Sequence, residues 1–257
     1  MARRIALALV ALALLPAPLW AAEGGARPPA PQVWPASGPL GTFDRNSLRR
    51  GYQVYKEVCA ACHGMTQLHF RMLGQAGGPE FAADEIAALA AEFQVVDGPD
   101  EAGDMFERAG LPRDRFPAPF PNEKAARAAN GGAWPPDLSL ITKARAGGAD
   151  YLYALLTGYG ETPPPQLEVP PGQYYNPWFE GHVIAMSPPL SDGLVEYADG
   201  TPTNARQLAY DVTQFLSWAA EPELEARKRL GLASMLYLLV LSGLLYLSMR
   251  HIWARLS

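Results

Sequence analysis

Two cysteines, Cys59 and Cys62, are the only ones in the 257-residue chain, and His63 follows the second directly. Cys-x-x-Cys-His is the attachment signature of c-type haem. Two thiols one helical turn apart can add to the two vinyl groups on one edge of a porphyrin. The adjacent imidazole then lies under the ring and supplies the proximal nitrogen to iron. A disulfide framework is excluded in practice, because a pair so close in sequence staples almost nothing. A thioredoxin-like pair would want a βαβ context, which is absent. A zinc site would need further Cys or well-spaced His, and none is available.

An iron that carries electrons rather than binding substrate needs a sixth ligand, and the inventory narrows the choice. Met1 leaves with an export signal, Met235 and Met249 lie in an apolar segment, and Met65 is too near His63 to reach the opposite face. Met72 and Met105 sit in polar or acidic stretches, and His69 and His251 are no better placed. His182 and Met186 remain, both in GHVIAMSPPL. Met186 is the better placed, because Pro188 and Pro189 would stiffen its loop against a haem face. Met/His ligation raises the potential and closes the iron to substrates, which favours electron transfer over oxygen chemistry.

The motif needs a scaffold. SLRRGYQVYKEV, residues 47–58, opens on an N-cap residue and places Leu48, Tyr52, Tyr55 and Val58 at helical spacing, so a helix runs straight into Cys59. Residues 84–93 and 149–156 are further helices. Residues 204–219 are another, with Leu208, Val212, Phe215 and Leu216 on one face. Strand signals are weak, and 25 prolines with 24 glycines predict long irregular stretches. The fold class expected is mainly α: a cytochrome c-type haem domain with long loops, plus one C-terminal transmembrane helix.

Residues 1–22 read as a signal peptide, with Arg3 and Arg4 ahead of an apolar run and small residues at Ala21-Ala22. Gly231 to Met249 contains no charged residue. Nineteen residues at about 1.5 Å each span roughly 28 Å, enough for the hydrocarbon core. The organisation expected is a haem domain over 23–226 outside a bacterial inner membrane, in the periplasm, an anchor over 227–250 in contact with lipid, and a cytoplasmic tail over 251–257. The formal net charge is −5, but residues 23–226 hold 14 Lys and Arg against 26 Asp and Glu. That excess of about −12 argues against nucleic acid and for a basic protein partner. Nine of the carboxylates fall between Glu80 and Glu107, with no Lys or Arg among them. They would either steer a basic electron carrier or simply solvate a loop.

Beyond the motif, four blocks resemble the cytochrome c1 family, the haem c subunit of ubiquinol–cytochrome c reductase: SLRRGYQVYKEVCAACH, ARAANGGAWPPDLSLITKARAGGADYLYALLTGY, YYNPWFEGHVIAMSPPL and EYADGTPTNARQLAYDVTQFLSWAAEPELEARKRLGL. The resemblance implies that Cys59 and Cys62 form thioethers to one haem c, with His63 and Met186 as axial ligands. It also implies that Arg145 pairs with a haem propionate near Tyr151, and that Asn130, Pro135 and Pro136 line the pocket. The partners implied are cytochrome b, the Rieske iron–sulfur protein and a soluble or tethered cytochrome c, in a dimeric complex. Ser187 departs from the proline or alanine often found after the methionine. Some bacterial relatives staple the methionine loop with an extra cysteine pair; here packing and prolines must hold it.

Overall fold

The computed structural model describes residues 27–255, so the expected signal peptide lies outside the described residues. Within that range the chain forms α1 (Arg45–Glu57), 3-10 turns at Cys59–Ala61 and Phe70–Gly74, α2 (Ala83–Ala91), β1 (Gln94–Asp97), β2 (Phe106–Ala109) and α3 (Glu123–Ala129). Then follow α4 (Ile141–Ala144), α5 (Gly148–Thr157), β3 (Tyr174–Tyr175), β4 (Val183–Ile184), α6 (Ala205–Ala220) and α7 (Leu224–Trp253). The helix-rich class with long loops is as expected.

α1 begins two residues earlier than its apolar spacing suggests. Asp44, not Ser47, is the cap: its Oδ1 accepts from the amides of Asn46 at 2.9 Å and Ser47 at 3.3 Å. Ser47 is instead buried and donates to Asp211 Oδ1 at 2.5 Å. α6 starts where Asn204 Oδ1 accepts from the Gln207 amide at 2.9 Å. The stripes of the two helices face each other and share the core, with Leu48, Tyr52 and Tyr55 on one side and Leu208, Val212 and Phe215 on the other. The ring of Phe215 meets those of Tyr52 and Tyr55 at 5.6 and 6.0 Å. Each such side chain contributes about 1.5–3 kcal/mol on burial.

Gly51 is where the helices touch. A methyl there would fall 2.1 Å from the Asp211 carbonyl oxygen, so only glycine permits the approach. Beside it Asp211, fully buried, accepts from Ser47, from Arg50 Nε at 2.9 Å and from Gln207 Nε2 at 3.0 Å. Arg50 reaches on to Asp199 at 2.8 Å. A charge buried with that many donors is satisfied, and removing a partner would be costly. α5 packs on α6 as well, and α4 touches both.

The weak strand signals understate residues 94–109, which form an antiparallel hairpin pairing Gln94 with Ala109 and Asp97 with Phe106. Its strands are four residues long and only partly buried, so alternation is faint. Arg108 pins it by pairing with both Asp97 and Asp114, at 2.5 and 2.6 Å. The acidic stretch is thus neither a plain loop nor uniformly free. Glu80, Glu85, Glu92 and Asp97 are matched by Arg45, Arg49, Lys56 and Arg108.

α7 runs 30 residues with a mean hydropathy of 2.1 over its most apolar 18-residue window, and none of that window is buried. It is long and apolar enough to cross a membrane, and its exposed leucines are the surface that lipid would cover. Its first turns are tied to the globular part. Glu225 grips Arg45 at 2.7 and 2.8 Å and accepts from the Phe43 amide at 2.8 Å. Lys228 Nζ donates to the carbonyls of Ala36 and Gly41 at 2.6 and 2.9 Å. The N-terminal segment is fastened too: Asp150 accepts from the Gln32 amide and from Trp34 Nε1.

Candidate haem-attachment site

After α1 the chain tightens, and the amides of Cys62 and His63 both donate to the Cys59 carbonyl, at 3.1 and 2.9 Å. That turn brings both thiols and the imidazole out within a few residues. Both cysteines are free thiols, Cys59 half-buried against the core and Cys62 exposed. Burial, reinforced by the neighbouring Cys62, pushes the Cys59 thiol up to about 12. Tyr55, at the core end of α1, reaches the His63 carbonyl at 3.4 Å.

The imidazole is oriented from its far side. His63 Nδ1 lies 2.8 Å from the Pro136 carbonyl. A carbonyl only accepts, so Nδ1 carries the proton and Nε2 keeps its lone pair for a metal. Burial holds the ring below its ordinary range, against the opposing pull of Pro136 and Asp137, and so keeps it neutral.

Pro136 is itself fixed by a zipper of bonds between residues 64–67 and 136–139. The Leu138 amide donates to the Gly64 carbonyl at 2.8 Å. Asp137 Oδ2 accepts from the amide and hydroxyl of Thr66, both at 2.8 Å, while Oδ1 takes the Ser139 amide at 2.8 Å. Burial works against that carboxylate, but the donors of Ser139 and Thr66 outweigh it and hold Asp137 below its ordinary range.

These residues fit a covalently held haem: two free thiols in one turn, an imidazole with the correct nitrogen uncommitted, and apolar surface beside them. Trp134 and Leu140, on either side of Pro135–Ser139, are 57% and 51% exposed, surface that a flat apolar ring would cover. Among the described residues no group of three or more His, Cys, Asp and Glu could hold a bare metal ion.

The other predicted residues fall into separate neighbourhoods. Asn130 closes α3, its Nδ2 donating to the Ala126 carbonyl at 2.7 Å and its carbonyl accepting from Ala133 at 3.0 Å, which sets the turn into the half-buried Pro135 and exposed Pro136. Arg145, exposed at the end of α4, donates no side-chain hydrogen bond among the described residues. It is near enough to Tyr151 on α5 for its charge to act on the phenol, although burial prevails and raises that group.

Met186 is half-buried, and its carbonyl accepts from the Tyr159 hydroxyl at 3.0 Å. The rival His182 adopts φ 62 and places Nδ1 3.2 Å from the Pro177 carbonyl, in a local turn. Met65 is sealed in the core, Met105 stands 61% exposed on the hairpin, and the Met72 sulfur accepts from the His69 amide. Among the described residues no hydrogen bond joins the His63 group to the Met186 group. Both are mounted on α6, through α1 and α5.

Asp137, Tyr159 and the buried Asn176 were not singled out by sequence. Only Asp137 carried a signal, a carboxylate just after Pro135-Pro136 and two residues before Ser139.

Residues 34–256 match the profile of the Cytochrome C1 family. A Bradyrhizobium diazoefficiens protein named cytochrome b/c1 is 50% identical over 250 residues, covering 90% of this chain but 36% of its own length. This chain thus spans about a third of that relative. Cytochrome c1, heme protein, of Kluyveromyces lactis mitochondria is 52% identical over 235 residues, 91% of this chain and 77% of the relative. The Candida albicans mitochondrial protein named cytochrome b-c1 complex catalytic subunit is 50% identical over 235 residues, with 91% and 78% covered. Half-identity sustained from the Trp34 segment through the membrane-length helix leaves one assignment: the chain belongs to the cytochrome c1 family.

Proposed function

We propose that this chain holds one haem c through thioethers at Cys59 and Cys62, with His63 and Met186 on its two faces. It relays single electrons from a Rieske iron–sulfur protein to a cytochrome c within quinol–cytochrome c reductase. The observation that carries this reading is the 2.8 Å contact of His63 Nδ1 with the Pro136 carbonyl beside two free thiols. It prepares the imidazole as a ligand.

When bound, haem c supplies a one-electron couple. The chain's own groups set its place and its surroundings. Arg145 offers a charged donor to a propionate, with Tyr151 beside it. Asn130, Pro135 and Pro136 would line the pocket, with Pro136 at His63 itself. Neutral His63 and the thioether of Met186 favour the reduced iron over an all-nitrogen or anionic ligand set.

α7 serves as the single membrane anchor, packed beside cytochrome b in a dimeric complex. The name cytochrome b/c1 on the Bradyrhizobium relative supports that neighbour. A cleaved signal over residues 1–22 would leave the haem domain in the periplasm of a bacterial inner membrane and the tail in the cytoplasm. Asp84, Glu101, Asp104 and Glu107 have no ion-pair partner among the described residues. Glu101, Asp104 and Glu107 lie on the hairpin with the exposed Met105 and Phe106, and would offer an acidic, part-apolar surface to a basic cytochrome c.

A reduced-minus-oxidised spectrum of the protein, purified in mild detergent through a C-terminal tag, tests the reading. A c-type band with stoichiometric b-type bands is expected. A c-type band alone would point to a free-standing tethered shuttle, and no c-type band at all would overturn the haem assignment.

A further inference from the structure

The loop that carries Met186 is fastened to the C-terminal end of α5 at three successive points. The fully buried Asn176 donates from Nδ2 to the Leu155 carbonyl at 2.8 Å, and its Oδ1 accepts from the Trp178 amide at 3.1 Å. The indole of Trp178 then lies over Gly158, where a methyl would fall 2.3 Å from the ring. Finally the Tyr159 hydroxyl, 27 residues away in sequence, donates to the carbonyl of Met186 at 3.0 Å. Among the described residues this is the one hydrogen bond that residues 185–190 make.

A methionine side chain has three rotatable bonds and a soft, neutral sulfur. Such a ligand stays on a metal only while its backbone is held at the right distance. This chain has no second cysteine pair to staple the loop, and Pro188 and Pro189 stiffen it without tying it to anything.

We propose that Tyr159 is the positioning residue for the distal ligand, its hydroxyl clamping the backbone of Met186 so that the thioether stays on iron. The proposal rests on the reading of Met186 as that ligand. One ordinary hydrogen bond shifts an equilibrium by up to about tenfold. Its loss should therefore raise the fraction of molecules with methionine dissociated by that factor.

The test compares wild type, Tyr159→Phe and Met186→Leu as intact, haem-loaded protein in detergent. Two readouts are taken: carbon monoxide uptake by the ferrous form, and the weak red charge-transfer band of thioether-ligated ferric haem. Tyr159→Phe should take up carbon monoxide about tenfold faster, with a weakened band and haem attachment near wild type. A merely structural tyrosine would change the melting temperature and leave both readouts alone.

If Met186→Leu keeps the band, Met186 is not the ligand and both readings fall. If Met186→Leu loses the band while Tyr159→Phe matches wild type, only the tyrosine inference falls. Should Tyr159→Phe not accumulate, 3-fluorotyrosine placed at position 159 decides. Its more acidic hydroxyl strengthens the same bond and must slow carbon monoxide uptake; unchanged or faster uptake refutes the clamp.

Discussion

Glu225, at the start of the membrane-length helix, holds Arg45, the first residue of the helix that leads into Cys59, through two parallel hydrogen bonds of 2.7 and 2.8 Å. Arg45 also donates to the carbonyls of Phe43 and Gly77 and pairs with Glu80. The joint between globular part and anchor is therefore a cluster of side chains and carbonyls rather than a bare linker.

Breaking the pair with Glu225→Ala leaves a half-buried guanidinium short of its main partner. The expected cost is about 2 kcal/mol, roughly 4–8 °C of melting temperature for a domain of this size. Arg45→Ala should cost a similar amount, and the double variant should cost clearly less than the sum. Strict additivity in calorimetry of the detergent-solubilised protein would show that the two residues do not act together.

Gly51→Ala places a methyl 2.1 Å from the Asp211 carbonyl oxygen, a backbone atom that cannot rotate away. α1 and α6 must then separate, at a cost of about 1–3 kcal/mol or more. The variant should give less haem-stained protein and a lower melting temperature than wild type. Equal stability of Gly51→Ala and wild type would rule out so close a crossing.

Asp137→Asn weakens the zipper that positions the Pro136 carbonyl and removes a negative charge beside His63. Both changes disfavour the oxidised iron. The midpoint potential should rise by roughly 30–60 mV, a tenfold change in a one-electron equilibrium being about 59 mV. A redox titration showing a fall would contradict the assigned direction of the His63 hydrogen bond.

Asp114 provides an acid-stability signature. Hydrogen bonds from Arg108 hold its carboxyl at about 2, against 3.8 ordinarily. Because the folded value is the lower one, its stabilisation is complete above the unfolded value and fades as pH falls towards the folded value. The melting-temperature gap between wild type and Asp114→Asn should hold constant down to about pH 4 and close near pH 2. A gap unchanged at the acid end would mean that the Arg108 pairing contributes nothing.

Much of this architecture was legible because it depends on local rules. The stripe Leu48, Tyr52, Tyr55 and the stripe Leu208, Val212, Phe215 declare two helices, and Cys59-x-x-Cys62-His63 declares its chemistry by spacing alone. What escaped depends on side-chain partners rather than on periodic pattern. The 94–109 hairpin is held by Arg108 bridging Asp97 and Asp114, not by alternation. Asp44 displaced Ser47 as the cap because Ser47 is drawn into the pocket around Asp211, 164 residues on. Asn176 and Tyr159 look like ordinary loop residues until the fold brings Leu155 and Met186 against them.

One helix, α6, supports the element that ends at His63 and the element that fastens Met186, and three residues later the chain enters α7. If His63 and Met186 face one iron as proposed, both would hang from the same rod, and a shift of the anchor would carry the pair together instead of prising it apart.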